Sequence, residues 1–265
     1  MLVIPSYRGP FRDSLVLFAT ASDVEMITRQ CGSRDVYRFR HAAPDASVSD
    51  ALHVGDSCTT CVDLRPSPDE MLERFDRKSC RYEIRRAEKL GARLHVRRDE
   101  PQAVHDFTAL YDRLVERRRF SPRMRASRLR RYLRVGNVFV AYLDDTPIVG
   151  HVVVMDLLAS RVRLVFSAST RLDDGPERAL VGPVNRWLHW WEMRRYRDAG
   201  IGTYDFGGVS PTSPSAPFKL SFGGALEPGR NLVVAGRAAR RLLTLTGATS
   251  GDFRHRHRAA VRSAS

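Results

Sequence analysis

The stretch TYDFGG at 203–208, followed by FKLSFGG at 218–224, decides how this sequence folds. TYDF is β-branched and aromatic and reads as a short strand. The glycines Gly207 and Gly208 that end it let a backbone and a bound molecule approach closely. Tyr204 and Asp205 stand at that strand end, where side chains reach a cleft, and either carries a group able to relay a proton. The same two residues would equally serve as structural hydrogen-bonders. Lys219 is one of three lysines, with Lys78 and Lys89, set against forty-one arginines. A chain that uses arginine wherever a positive charge suffices has a use for lysine where a compact ammonium must point at one oxygen. Phe218 beside it either shapes a pocket or fills the core.

Working outward, the helix PVNRWLHWWEMRRYRD (183–198) precedes TYDFGG and ends at Gly200, and a strand NLVVAG (231–236) follows FKLSFGG. Upstream lie strands at 137–143, 147–157 and 160–169, the first two joined by the turn Asp144-Asp145. Gly175 and Pro176 open a loop. Residues 15–20, 36–40 and 57–65 also read as strands, and ARLHV (92–96) as another. Ser67, Pro68 and Glu70 form a capping box that starts one helix running through MLERFDRKSCRYEIRRAEKL to Gly91. A second helix runs from Pro101 to about Arg118, and a basic one lies near 124–134. Helices alternating with strands, several of them consecutive and antiparallel, predict an α/β or α+β fold: a mixed, largely antiparallel sheet flanked by helices. No G-x-G-x-x-G follows a strand and no P-loop is present, which disfavours a dinucleotide or P-loop nucleotide fold.

At 265 residues and 30.0 kDa, with 43% hydrophobic and 28% charged residues, the chain has the composition of a globular protein. No apolar run is long enough to span a bilayer. The N-terminus MLVIPSYRGPFRDSLVLFAT breaks its apolar stretches with arginine and proline, unlike a signal peptide, so a cytoplasmic location is expected. Cys31, Cys58, Cys61 and Cys80 fit a reducing compartment. Cys58 and Cys61 form a C-x-x-C, but on a strand residues three apart face opposite sides, so no metal site is expected there. His255 and His257 lie in a basic tail, 248–265, expected to be disordered. The net charge is +14. Residues 113–134 carry ten arginines against one glutamate, and 229–265 eight arginines against one aspartate. Two localised cationic segments suit a phosphate backbone.

Three pieces, in order, resemble the Fem family of aminoacyltransferases within the GNAT superfamily. RYEIRRAEKLG (81–91) looks like the family's R-x-x-I-R-x-A-x-K-x-G helix. The run from FTALYDRLVERR through VFVAYLDDTPIVGHVVVM to WLHWWEMRRYRDAGIGTYDFGG is similar to its second GNAT domain. FKLSFGG matches its closing F-K-x-x-F-G-G. The resemblance implies a GNAT-like domain at 101–247 behind a truncated N-terminal GNAT-like half at 1–100. It implies transfer of an aminoacyl group from aminoacyl-tRNA to the amine of a small molecule or peptide, with no cofactor. It places Lys219 near the reacting carbonyl, where an ammonium would stabilise an oxyanion.

Arg81, Arg85 and Lys89, spaced by four, share a helical face, and with Arg86 would meet a phosphate-bearing ligand or form a solvated basic helix. An acyl-CoA or acyl-carrier donor is the alternative. The loop DDGPERALVGPV (173–184) lacks the Q/R-x-x-G-x-G/A spacing that cradles a CoA pyrophosphate. A non-catalytic RNA- or protein-binding relic is a third reading, against which the retained Lys219 speaks.

Overall fold

The computed structural model describes residues 1–118, 123–172, 178–210 and 212–246. In chain order the elements begin with β1 (Leu2–Arg8), β2 (Phe11–Leu17), α1 (Ala21–Arg29), β3 (Asp35–Ala42) and β4 (His53–Asp63). They continue with α2 (Pro68–Arg74), α3 (Tyr82–Glu88), β5 (Leu94–Arg98), α4 (Pro101–Arg118) and α5 (Ala126–Leu133). The hairpins β6 (Gly136–Leu143), β7 (Thr146–Asp156) and β8 (Arg161–Ser169) lead to α6 (Arg178–Asp198) and β9 (Thr203–Gly208). The short helix α7 (Ala216–Leu220), β10 (Ala225–Ala235) and α8 (Arg237–Leu245) complete the described chain. The mixed α+β architecture expected from the alternation is the one found.

Contacts divide the chain into two compact units, Met1–Thr59 with Glu227–Ser265, and Thr60–Leu226. In the first, β1 pairs antiparallel with β2, β2 parallel with β3, and β3 antiparallel with β10. Its core is aliphatic and aromatic: Val16, Val24, Ile27, Phe39, Leu232 and Val234 are buried together. Neither β1 nor α1 was expected from the sequence. Pro5 inside LVIPSYR argues against a strand, but it is tolerated because β1 is an edge strand, pairing with β2 alone among the described residues.

In the second unit, β5, β6, β7 and β8 pair antiparallel in succession and β9 joins β8 in parallel. Two cores flank this sheet. One gathers Ile84, Phe139, Leu188, Met193, Tyr204, Phe206 and Phe222, and is covered by α3 and α6. The other gathers Phe107, Leu110, Val140, Val152 and Phe166 under α4 and α5. No described helix is long and apolar enough to cross a membrane.

The helix expected to run unbroken from residue 68 to 90 is interrupted. The capping box at Ser67 and Glu70 forms as read, but Phe75 turns extended at ψ 146°. Asp76 then opens a new start, its carboxylate accepting from the Ser79 N–H at 2.7 Å and the Ser79 hydroxyl at 2.6 Å. A π-turn over Arg77–Arg81 carries the chain into α3. Phe75 is buried against Trp190 and Phe222, and that packing outweighs the continuous helical periodicity. Gly91 ends the segment at φ +55°, as its position predicts. Cys58 and Cys61 both lie on β4, and all four cysteines are free thiols. The loop residues Gly175 and Pro176, residues 119–122 of the first basic segment and the tail 248–265 lie outside the described residues.

Candidate functional site

β9 alternates its side chains between two faces, and this separates Tyr204 from Asp205. Asp205 is fully buried, and its carboxylate accepts from Arg161 at 3.0 and 3.2 Å, from Arg163 at 3.3 Å and from the Gly207 N–H at 2.7 Å. Two guanidinium groups and a backbone donor thus tie this carboxylate into the sheet. Gly207 bends the chain there at φ +74°, and a Cβ would meet the Leu164 carbonyl oxygen at 2.9 Å. Only glycine fits that turn comfortably.

Tyr204 points the other way, toward α6, and reaches residues that the sequence reading missed. Its hydroxyl donates to Glu192 Oε2 at 2.5 Å and lies 3.0 Å from His189 Nδ1. The other carboxylate oxygen of Glu192 accepts from His151 Nδ1 at 2.9 Å, and Asn185 lies 3.0 Å from His151 Nε2. Tyr204, His151 and Glu192 have no exposed surface, and His189 is 1% exposed. Burial, followed by the Glu192 charge, raises the Tyr204 pKa well above its usual value. Burial first, then the electrostatic influence of His151, Lys219 and Arg186, pushes the His189 pKa well below the ordinary imidazole value. The signal was present in sequence: His151 interrupts the apolar run IVGHVVVM (148–155), and His189 and Glu192 sit inside WLHWWEM (187–193). Polar groups in such runs require buried partners.

His151, His189 and Glu192 offer ligand atoms within 4.8 Å of one another, a set that could in principle hold a cation. The arrangement is that of a hydrogen-bonded chain instead. The two imidazoles stack with centroids 4.2 Å apart, and the contacts of Glu192 to His151 and Tyr204 are hydrogen-bond distances.

Lys219 rides on α7, half-buried, and its ammonium donates to three consecutive carbonyls: Phe206 at 2.9 Å, Gly207 at 3.0 Å and Gly208 at 2.8 Å. Three oxygens around one point suit a tetrahedral ammonium and not a planar guanidinium. That gives a physical reason for lysine in an arginine-rich chain. Phe218 lies tilted against His189 with centroids 5.7 Å apart, and the Arg186 guanidinium lies 4.7 Å over the Phe218 ring. Gly223, in the FGG ending, takes φ +67°, and a Cβ there would meet the Arg74 carbonyl oxygen at 2.6 Å. The motif's glycine is thus set by the close passage of the end of α2.

The structure therefore brings Tyr204, Gly207, Gly208, Phe218 and Lys219 together around the end of β9, with Asp205 on the opposite face. The basic helix α3 is tied to this group through Glu83, which pairs with Arg186 at 2.5 Å. On α3 and its two caps, Arg85, Arg86 and Lys89 are exposed, whereas Arg81 is half-buried with its Nε lacking a hydrogen-bond partner. Cys80, buried beside them, has its thiol pushed up to about 12 by desolvation.

No protein-family model matches the sequence, and no curated protein matches it. Solved structures do. FemX superposes with a TM-score of 0.63 at 13% identity, over 92% of this chain and 85% of that one. L-PGS from Bacillus licheniformis gives 0.55 at 10% identity, over 93% and 83%. The C-terminal DUF2156 domain of a protein described as a lysylphosphatidylglycerol synthetase, from Agrobacterium fabrum, gives 0.55 at 16% identity, over 94% and 84%. At these identities the likeness is one of architecture, and the architecture is the one that the FKLSFGG and YDFGG elements pointed to: this chain has the fold of FemX.

Proposed function

We propose that the protein is an acyltransferase of the Fem type, moving an aminoacyl group from aminoacyl-tRNA onto the amine of a small molecule or peptide. One observation carries the reading. The F-K-x-x-F-G-G element seats the Lys219 ammonium on the carbonyls of the Tyr-Asp-Phe-Gly-Gly strand end, beside Phe218 and the His189 ring. A positive charge fixed at one point is what a carbonyl oxygen needs as it becomes an oxyanion, and the incoming oxygen would replace one of the three backbone acceptors. Gly207 and Gly208 let the donor's carbonyl come close to the backbone. Tyr204 acts from within the sheet through its bonds to Glu192 and His189. Asp205 holds the strand end in place through Arg161 and Arg163.

The donor's phosphates would meet Arg81, Arg85, Arg86 and Lys89 on the α3 side, and the basic segments 113–134 and 229–265 elsewhere. In the first of these, Arg123, Arg125, Arg130 and Arg134 are exposed. Exposed arginines that contact phosphates release counterions, so binding to tRNA should weaken steeply as salt rises.

The test is direct. The protein is incubated with charged tRNA and, separately, with a panel of acyl-CoAs, in the presence of peptide amines, and loss of the acyl group is followed by mass spectrometry. Transfer from charged tRNA is expected. Transfer from acyl-CoA alone, with tight CoA binding and a flat salt response, would replace this donor with the other.

A further inference from the structure

An amine that attacks an acyl carbon must lose a proton, and neither Lys219 nor Asp205 is placed to take it. The Lys219 side chain donates to three carbonyls, and Asp205 faces away from Tyr204 across β9. The buried chain behind Tyr204 ends in His189. Tyr204 donates its hydroxyl proton to Glu192 Oε2, so the phenolic oxygen at 3.0 Å from His189 Nδ1 is left to accept. His189 must then carry its proton on Nδ1, which leaves the lone pair on Nε2. That nitrogen has no hydrogen-bond partner among the described residues, although the ring is almost wholly buried. The ring cannot swing to find one, because it is held between His151, Phe206, Phe218 and Phe222.

We propose that His189 Nε2 receives the proton released by the acceptor amine, an inference that rests on the acyl-transfer reading above. The amine lone pair forms the new C–N bond at the donor's carbonyl carbon while its N–H proton passes to Nε2. As the ester C–O bond breaks, the imidazolium returns that proton to the departing oxygen, and His189 ends neutral. Nothing is oxidised or reduced. Burial first, then the charges of Lys219 and Arg186 nearby, keeps the ring neutral before the amine arrives and makes the imidazolium a ready acid for the leaving group. Glu192 and Tyr204 are positioning residues in this scheme, since they fix the tautomer and touch no reacting atom.

The experiment compares wild type, His189→Gln and Tyr204→Phe, with pooled aminoacyl-tRNA as donor and a lysine-containing peptide as acceptor, and checks the fold of each variant by thermal melting. His189→Gln is expected to lower kcat by about 10²-fold and to remove the acid limb of the pH–rate profile, with donor binding unchanged. Tyr204→Phe is expected to lower kcat less and to move that limb. A folded His189→Gln protein with kcat within twofold of wild type, in an enzyme that does transfer, overturns the assignment of His189 and leaves the transferase reading intact. A wild type inactive with every donor overturns both. Long-range ¹H–¹⁵N spectra of the imidazoles supply a readout independent of turnover: His189 is expected as the Nδ1–H tautomer at neutral pH, and finding the proton on Nε2 overturns the proposal.

Discussion

In the unit built from Met1–Thr59 and Glu227–Ser265, one buried ion pair joins neighbouring strands. Asp13 on β2 pairs with Arg38 on the neighbouring β3 at 2.9 Å and with the exposed Arg8 at 3.3 Å. The surrounding core is a plain assembly of valine, isoleucine and aromatic rings. In the unit of Thr60–Leu226, by contrast, two histidines, a glutamate and a tyrosine are linked through the middle of an apolar core. Their chain ends in an imidazole nitrogen without a hydrogen-bond partner among the described residues. Burying polar groups opposes folding unless they are fully paired. A cross-strand pair is adequately explained by structure, and open ends are found in both units, since Ser14 Oγ in the first is also buried without a hydrogen-bond partner. The contrast is one of extent: a cross-strand ion pair in the first unit, a chain of four linked side chains in the second.

The strongest way to break this contrast is Glu192→Ala. It strips the acceptor from both His151 and Tyr204 in a fully buried place, and stability in denaturant should fall by about 3–5 kcal/mol. A loss below about 1 kcal/mol would mean the chain contributes no more than a surface contact. Next comes Lys219. Lys219→Ala should lower kcat by roughly 10²–10³-fold, and Lys219→Arg should rescue poorly, because three carbonyls around one point do not admit a planar fork. A near-wild-type Lys219→Arg enzyme would reduce the lysine to a generic cation.

A smaller effect is a slope in pH. The folded-state pKa of His189 is depressed, so the unfolded chain takes up a proton there first as pH falls. Stability from this group is therefore full above the unfolded imidazole value of about 6.5 and is lost as pH drops below it toward the folded value. Melting temperatures between neutral pH and pH 5 should show that decline, and His189→Gln should flatten it. The least effect is expected in the first unit, at Thr20. Its side chain caps α1 by accepting from the Asp23 N–H at 3.2 Å, and Thr20→Ala should cost about 1 kcal/mol without touching turnover.

How far the sequence could be read follows from the range of the forces involved. The capping box at Ser67, the stop at Gly91, the hairpins of β6 to β8 and the strand before Gly207 are local, and local chemistry announces them. The break at Phe75 is not local, since it is made by Trp190 and Phe222, far along the chain. The same holds for β1, whose Pro5 disguises it. Lys219 stood out by its rarity, but its three carbonyl partners could be seen only once α7 was placed against the end of β9. His151, His189 and Glu192 were visible as polar interruptions in apolar runs, yet nothing in their spacing says that β7 and α6 bring them to a single tyrosine.

The first unit has a consequence for the order in which the molecule is made. The part of β10 that pairs with β3, Arg230–Ala235, is encoded after the whole of Thr60–Leu226. A nascent chain can complete the second unit from contiguous sequence while β3 still offers an open edge with its valine, tyrosine and phenylalanine side chains. Such an edge is a template for pairing with another chain, and long-range closure is slow. The hazardous interval in the biogenesis of this protein is therefore the time between emergence of β3 and arrival of β10, and a chaperone that shields β3 would act there.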